Sequence, residues 1–365
     1  MVEDREGFKY PQIDKNICVA CGCCNGVCSS LHHGNRRQPR AVFAAMANDM
    51  TVRGASSSGG VFSLLAMDVL RDGGVVYGAG WDKKDWRVIH KRIERADGLE
   101  ELRGSKYVQS EVLPALMSAK FDVDKGRRVL FSGTPCQVAA LNAICGRGRT
   151  NLLTVEVICH AVPSPLAWQK YLQKRLSEAY KQDGSEGKIR QISFRYKNCG
   201  WKQYALFVCF ANHKTYLSEV GKDLFMSGFL SNLYNRPACS HCTVKELRSG
   251  ADVTIGDYWG VSSRFPDMDD DMGTSLVLVN TEVGLDAWRR IVCGLKVKES
   301  DFAHACNSNH AIYEQPSRHF LRDYFFRHVR SRDFDALVYN IVFPSLPRRC
   351  WRFVVRMVGK ALKRI

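Results

Sequence analysis

Between residues 56 and 158 the apolar positions change period several times, and each change predicts an element. Val61 to Leu70 carries its apolar side chains at helical spacing, Arg71-Asp72-Gly73-Gly74 breaks that run as a turn, and Val75-Val76-Tyr77-Gly78 follows as a short strand. Leu113 to Lys120 is predicted helical, and Arg128 to Ser132 and Leu152 to Ile158 have the apolar continuity of buried strands. The helix between those strands has a marked start: Thr134 as N-cap, Pro135 at the first position and Gln137 three residues after the cap. Strand, helix and strand in this order predict a parallel pair with a right-handed crossover. Gly133 to Cys136 and Cys159 then fall at the carboxyl ends of neighbouring strands, where open α/β sheets place ligands. Ile189 to Tyr196 and Tyr204 to Phe210 are predicted strands of a second, β-rich region. The expected class is α/β with α+β elements, a central mixed sheet flanked by helices. The Asp-rich stretch 264–273 reads as solvated surface loop rather than a metal site.

Composition narrows the function. The chain has 365 residues, room for two or three domains, and 45% hydrophobic with 25% charged residues is ordinary for a globular protein. No secretory pattern opens it and no apolar run is long enough to span a membrane, so a cytoplasmic location is expected. Fifteen cysteines in such a compartment point to metal or redox chemistry rather than disulfides. The net charge of +16 calls for an anionic partner: a phosphate-bearing cofactor, an acidic protein, nucleic acid or a membrane. Charge alone does not choose among them.

Cys18, Cys21, Cys24 and Cys28 form C-x2-C-x2-C-x3-C, the spacing of a bacterial ferredoxin half that wraps a 4Fe-4S cubane. Zinc is the competing reading, but zinc knuckles usually pair cysteines across a longer insert. Cys23 is extra, and Ser29 stands where such motifs usually carry proline. In two-cluster ferredoxins the fourth cysteine serves the other cluster. With one run in the chain, either Cys28 closes a single cluster or an upstream half is missing. Cys239-Ser240-His241-Cys242 is a second pair, preceded by Arg236 and Pro237; alone it fits structural zinc or packing equally well. Joined by Cys136 and Cys159 at one sheet edge, it makes four candidate ligands for a second cluster, with Cys136 favoured as thiolate by its helix N-terminus. Cys145, Cys199, Cys209, Cys293, Cys306 and Cys350 read as small core or surface residues.

Asp4-Arg5-Glu6-Gly7-Phe8-Lys9-Tyr10-Pro11, Ser57-Ser58-Gly59-Gly60, Gly104-Ser105-Lys106-Tyr107, Gly133-Thr134-Pro135-Cys136-Gln137, Cys159-His160, Gly200-Trp201 and Gly256-Asp257-Tyr258-Trp259-Gly260 occur in order. With them the chain resembles the coenzyme F420 hydrogenase/dehydrogenase beta-subunit family, related to 7-hydroxymethyl chlorophyll a reductase, from residue 4 to about Arg318. The resemblance implies a ferredoxin-like N-terminal domain and a catalytic α/β domain holding FAD and a 4Fe-4S cluster. It implies hydride exchange between the flavin and a deazaflavin, or reduction of another substrate. Cys136, Cys159, Cys239 and Cys242 become the implied ligands of the catalytic-domain cluster. Ser57, Ser58, Gly59, Gly60, Ser105, Lys106, Tyr107, Gly133, Thr134 and Pro135 become implied flavin contacts, the Ser- and Gly-rich turn because absent side chains let amides approach phosphate. Lys106, set against a phosphate or the flavin ring, and His160, as a proton relay, are the implied catalytic residues. Their plain alternatives are a solvated lysine and a structural hydrogen bond beside the cluster. Family members carry an earlier cysteine run, so the resemblance also implies that Met1 is internal and the N-terminal cluster incomplete. The expected domains are 1–40, the 4Fe-4S module; 41–120 and 121–320, the two parts of the flavin domain, the latter with the second cluster; and 321–365, a helical basic tail.

Within that tail, residues 348–365 hold seven basic side chains and no acidic one. On a helical wheel Arg349, Arg352, Arg356, Lys360 and Lys363 oppose Trp351, Val354, Val355, Val358, Leu362 and Ile365. Such a helix either docks on the body or lies on anionic lipid or an acidic protein, which would make the chain membrane-peripheral. Three functions follow: an iron–sulfur flavoprotein oxidoreductase; a non-catalytic electron-transfer subunit serving a redox partner; and a zinc-holding assembly protein at a membrane. A redox partner protein or small-molecule donor is expected, and no nucleic acid.

Overall fold

The computed structural model describes residues 1–28, 31, 34–146, 148–181 and 187–343. Ser29, Cys350 and the basic segment 348–365 lie outside them. Strands are numbered along the chain. A small hairpin opens it, β1 (Val2–Glu3) with β2 (Lys9–Tyr10). The main sheet takes β3 (Ala41–Ala47), β4 (Val75–Asp82), β5 (Arg87–Ile93), β6 (Ser110–Glu111), β7 (Val129–Gly133) and β8 (Leu152–Val157). A separate antiparallel sheet comprises β9 (Ile189–Tyr196), β10 (Ala205–Phe210) and β11 (Thr215–Glu219). The chain then returns to the main sheet with β12 (Val253–Asp257), β13 (Ser275–Val279) and β14 (Leu295–Ser300).

The nine strands lie in the order β14-β3-β13-β12-β8-β7-β4-β5-β6. The centre, β12-β8-β7-β4, is parallel, while β4–β5, β12–β13, β13–β3 and β3–β14 are antiparallel. Central strands covered on both faces need apolar residues at every position, and β7 and β13 are buried throughout. Helices Val61–Arg71 and Glu282–Ile291 cover one face, where Leu65, Val69 and Trp288 meet Leu130, Val155 and Val277. Helices Leu113–Asp124 and Pro135–Cys145 cover the other, packing Leu116, Val123 and Leu141 against Tyr77 and Phe131. An aromatic core built on Trp168, Tyr171, Phe194, Phe225 and Tyr234 joins helices Pro165–Ala179, Leu224–Leu230 and Phe334–Val342 to the small sheet. Each such ring contributes roughly 2–3 kcal/mol by burial.

The mixed α/β architecture is the expected class, and the β7–helix–β8 crossover is parallel as anticipated. Gln137 accepts the Thr134 backbone N–H at 2.9 Å, one arm of the capping box. Strands β3, β5 and β12 to β14 go beyond the expected elements. The Asp-rich stretch 264–273 corrects an expectation, because its carboxylates are not simply solvated. Asp270 accepts from the buried Arg53 guanidinium at 2.6 Å and Asp269, 6% exposed at its side chain, from Lys202 Nζ at 2.6 Å. The paired cations stand 67 and 217 residues away in sequence, beyond any local pattern. Among the described residues no helix is long and apolar enough to cross a membrane.

Candidate functional site

Two antiparallel steps, β3 to β13 and β13 to β12, make β3 run in the same sense as the parallel centre. The carboxyl ends of β3, β12, β8, β7 and β4 therefore emerge at one edge. The turns 57–60, 133–136, 159–160 and 256–260 all leave the sheet there. Segment 105–107 reaches the same edge through β6, whose Ser110 pairs with Val88 near the start of β5.

The Ser- and Gly-rich turn is built into the sheet. A Cβ on Gly59 would stand 2.3 Å from Ala45 O and 2.7 Å from Ser275 N, so only glycine fits. Gly59 N–H donates to Ser275 Oγ at 2.9 Å and Ser58 Oγ to Thr274 O at 2.9 Å. Gly60, with φ +93°, turns the chain into helix Val61–Arg71, whose first-turn amides have no partner within the helix. Ser57 Oγ accepts from Ser105 N at 2.7 Å and Ser105 Oγ at 3.0 Å, tying two of the implied flavin segments together. Tyr107 packs between Phe194 and Phe229, each with centroids 5.4 Å away. Lys106 Nζ turns back on its own loop, donating to the carbonyls of Arg103 at 2.8 Å and Gly104 at 3.0 Å. Burial, with the like charge of Lys91, pushes its amine down to about 7.

The four cysteines of the second set come from three segments. Cys136 opens the helix after β7, with Thr134 Oγ1 3.2 Å from its Sγ, and Cys159 follows β8. The chain after Cys159 pairs with the segment carrying the other two: Ser164 N–H donates to Tyr234 O at 2.9 Å and Arg236 N–H to Val162 O at 2.8 Å. Cys239 N–H then closes the turn on Arg236 O at 2.9 Å. Burial, and then the charges of Cys136 and Cys239, push the Cys159 thiol well above its ordinary range. Burial also lifts Cys239 to about 11, with Cys136 and Cys242 adding to it. Burial, and then the Cys242 charge, raise Cys136 too, but its side chain is exposed, which screens the effect. The four sulfurs thus share one electrostatic neighbourhood. Lys245 stands in it, its Nζ donating to Cys159 O and Ala311 O at 2.5 Å, and Arg236 adds a second positive charge toward Cys136 and Cys239. Among the described residues no three Cys, His, Asp or Glu side chains close on a single-ion site. Four soft thiol donors facing two fixed cations suit an anionic tetrathiolate centre, whose formation would displace the thiol protons.

His160 donates from Nε2 to Asn232 Oδ1 at 2.8 Å, an oxygen that also accepts from Asn235 Nδ2 at 2.7 Å. Burial holds its pKa down, and Phe229 meets the ring edge-on. The N-terminal run is placed differently. Cys18, Cys21 and Cys24 are exposed and Cys28 is half-buried, around the short helix Cys23–Gly26 entered through Gly22 at φ +75°. Hydrogen bonding from Cys23 lowers the Cys21 thiol.

Two basic residues at this edge, Arg195 and Lys197, escaped sequence reasoning. Arg195 on β9 pairs with Asp257 at 2.9 Å, and Trp201 Nε1 donates to the other Asp257 oxygen at 2.9 Å. Trp201 and Trp259 stack at 4.8 Å, which joins the Gly200-Trp201 and Gly256–Gly260 motifs in space. Lys197 Nζ donates to Met272 O at 2.8 Å, and burial pushes it down to about 8. The basic residues lie inside strand or loop patterns that carry no signal of a partner.

Residues 42–117 match the profile described as coenzyme F420 hydrogenase/dehydrogenase, beta subunit N-term, and residues 126–304 the profile of the same subunit's C terminus. No curated protein matches the chain. A chain of the F420-reducing NiFe hydrogenase complex from Methanosarcina barkeri, in a xenon-derivatised structure, shares the fold with a TM-score of 0.50 at 18% identity, over 76% of this chain and 90% of that one. The two matched segments interleave in the same sheet, β3 of the first lying between β13 and β14 of the second, and together they carry every turn of the carboxyl edge. The chain belongs to the coenzyme F420 hydrogenase/dehydrogenase beta-subunit family, and with it to the electron-transferring oxidoreductases.

Proposed function

We propose that the chain is an iron–sulfur flavoprotein that passes electrons between a 4Fe-4S cluster and FAD, and exchanges a hydride with a deazaflavin such as coenzyme F420 or with another two-electron substrate. The observation that carries this is the meeting of Cys136, Cys159, Cys239 and Cys242 in one field with Lys245 and Arg236. Bound FAD would supply the junction between single-electron and hydride chemistry. In this reading the four thiols hold the cluster, and Lys245 and Arg236 offset its negative charge. The joined Ser57 and Ser105 turns, with Gly133 to Pro135, line the flavin's berth, and the helix N-terminus behind Gly60 faces its phosphates. His160 keeps a proton on Nε2 beside Cys159, and Lys106 contributes a proton or a charge near the ring. The N-terminal run Cys18, Cys21, Cys24 and Cys28 would hold a second cluster if its ligand set is complete.

The test is anaerobic reconstitution followed by iron, sulfide and flavin analysis. The unaltered chain should be brown and release FAD on denaturation, while Cys159→Ala should lose about four irons per chain; Cys306→Ala should lose none. Colourless protein carrying zinc would overturn the reading. A second reading, a subunit that only relays electrons to a partner, draws support from the multi-subunit complex in which the Methanosarcina chain is found. Steady-state turnover with soluble donor and acceptor, and no partner present, distinguishes the two.

A further inference from the structure

Strand β9 should alternate, with Phe194 toward the core and Arg195 toward solvent. It does not. Ser193 lies opposite Phe207 and Tyr196 opposite Ala205, so two residues of β9, Phe194 and Arg195, stand against Leu206 alone of β10, and both are buried. Such a bulge re-aims a side chain, and bulges concentrate beside functional sites. Here it drives a guanidinium, 3% exposed, into an aromatic interior. The guanidinium carbon lies 3.9 Å from the Tyr204 ring centroid and 5.3 Å from that of Trp259. One terminal nitrogen pairs with Asp257 at 2.9 Å and the other reaches Ser57 O at only 3.5 Å. Asp257 is itself held by Trp201, so the fork cannot rotate to improve these bonds. Among the described residues, Arg195 Nε is buried with no hydrogen-bond partner. A buried, charged donor without an acceptor is the arrangement folded proteins avoid most consistently.

We propose that Arg195 Nε–H is reserved for the ring of the bound flavin and that Arg195 sets the flavin's reduction potential. This rests on the flavin reading above and deepens it. Three observations point to the ring rather than the phosphates. The guanidinium is flanked by aromatic faces, its second terminal nitrogen reaches Ser57 in the turn tied to Ser105, and a separate helix N-terminus lies at Gly60, available to phosphate. When substrate gives up a hydride, its two electrons and one proton enter the ring at N5, and one net negative charge remains on the N1–C2 carbonyl edge. A fixed cation donating there stabilises the reduced ring more than the oxidised one. Asp257 partly neutralises Arg195, so the effect is a moderate one.

The experiment uses the full chain, reconstituted anaerobically with FAD, and compares Arg195→Gln and Arg195→Lys with the unaltered protein. The readouts are the midpoint potential by dye equilibration and the Kd of oxidised FAD by fluorescence. Arg195→Gln should lose about tenfold in its preference for reduced over oxidised flavin, a potential about 30 mV more negative for a two-electron couple. Arg195→Lys, which keeps the charge without the directed N–H, should fall between, and it decides the matter if the Gln variant does not fold. Variants that keep FAD at an unchanged potential would sink the role of Arg195 and leave the flavin reading standing. An unaltered chain that takes up no flavin would end both.

Discussion

His90 shows how one buried side chain holds the edge in shape. Its Nδ1 lies 2.7 Å from Ser110 Oγ and its Nε2 3.1 Å from Ser132 O, so the ring fastens β6 to the end of β7, four residues before Cys136. Burial pushes its pKa down to about 4. The unfolded chain takes up the proton near pH 6.5 while the folded one resists until about 4, so stability falls as pH drops through that window and rises as it climbs back. The contribution amounts to about 3 kcal/mol at most. Urea unfolding at pH 4.5 and 6.5 should show a smaller pH difference for His90→Gln than for the unaltered chain; equal differences would remove His90 from the account. His90, Lys245 and Arg195 share one property: each lies in a stretch whose local pattern is ordinary, and the polar partner that fixes it, Ser110, Cys159 or Asp257, stands at least 20 residues away.

At the scale of elements, the turns that leave the sheet are as constrained as the strands. Adding a methyl group at Gly59 forces it onto the Ala45 carbonyl, so Gly59→Ala should cost about 1–3 kcal/mol. Gly221→Ala, with open space at its Cβ, should be nearly silent in the same thermal-unfolding series. Thr134→Ala removes the N-cap of helix Pro135–Cys145 and should cost about 1 kcal/mol, read from urea midpoints. This helix and the two strands beside it were legible because capping chemistry and uninterrupted apolar runs act between sequence neighbours. Strand β3 was not, since its Ala41-Val42-Phe43-Ala44-Ala45-Met46-Ala47 run has neither period. It becomes a strand by pairing with β13 and β14, more than 200 residues later. The bulge in β9 is invisible for a related reason: the alternation of its side chains is normal until the register with β10 is known.

Across the whole molecule, the two ends of the described chain meet beside the cysteine site. Glu6, just after β1, pairs with Arg322 at 2.8 Å, both buried, and Arg322 Nε donates to Asn235 O at 3.1 Å, next to Arg236. Arg322→Met leaves an uncompensated buried carboxylate and should cost about 3–5 kcal/mol by urea unfolding. Combining it with Glu6→Leu should recover part of that loss, and strictly additive losses would show that the pair does not act as a unit. Arg236 in turn donates to Lys9 O at 3.1 Å and its guanidinium lies 4.3 Å from the Tyr10 ring, so the hairpin that precedes the N-terminal cysteines is anchored beside Cys239 and Cys242. What the sequence determined by itself was local: the capped helix, the apolar strands around it, the ferredoxin spacing and the ordered motifs, all set by residues a few positions apart. The tertiary structure alone decided that Cys159 and the Cys239–Cys242 turn share a neighbourhood with Lys245, that Arg53 draws in the Asp-rich loop, and that Arg195 turns inward. Those depend on strand register and on contacts across tens to hundreds of residues, and periodicity along a chain contains neither.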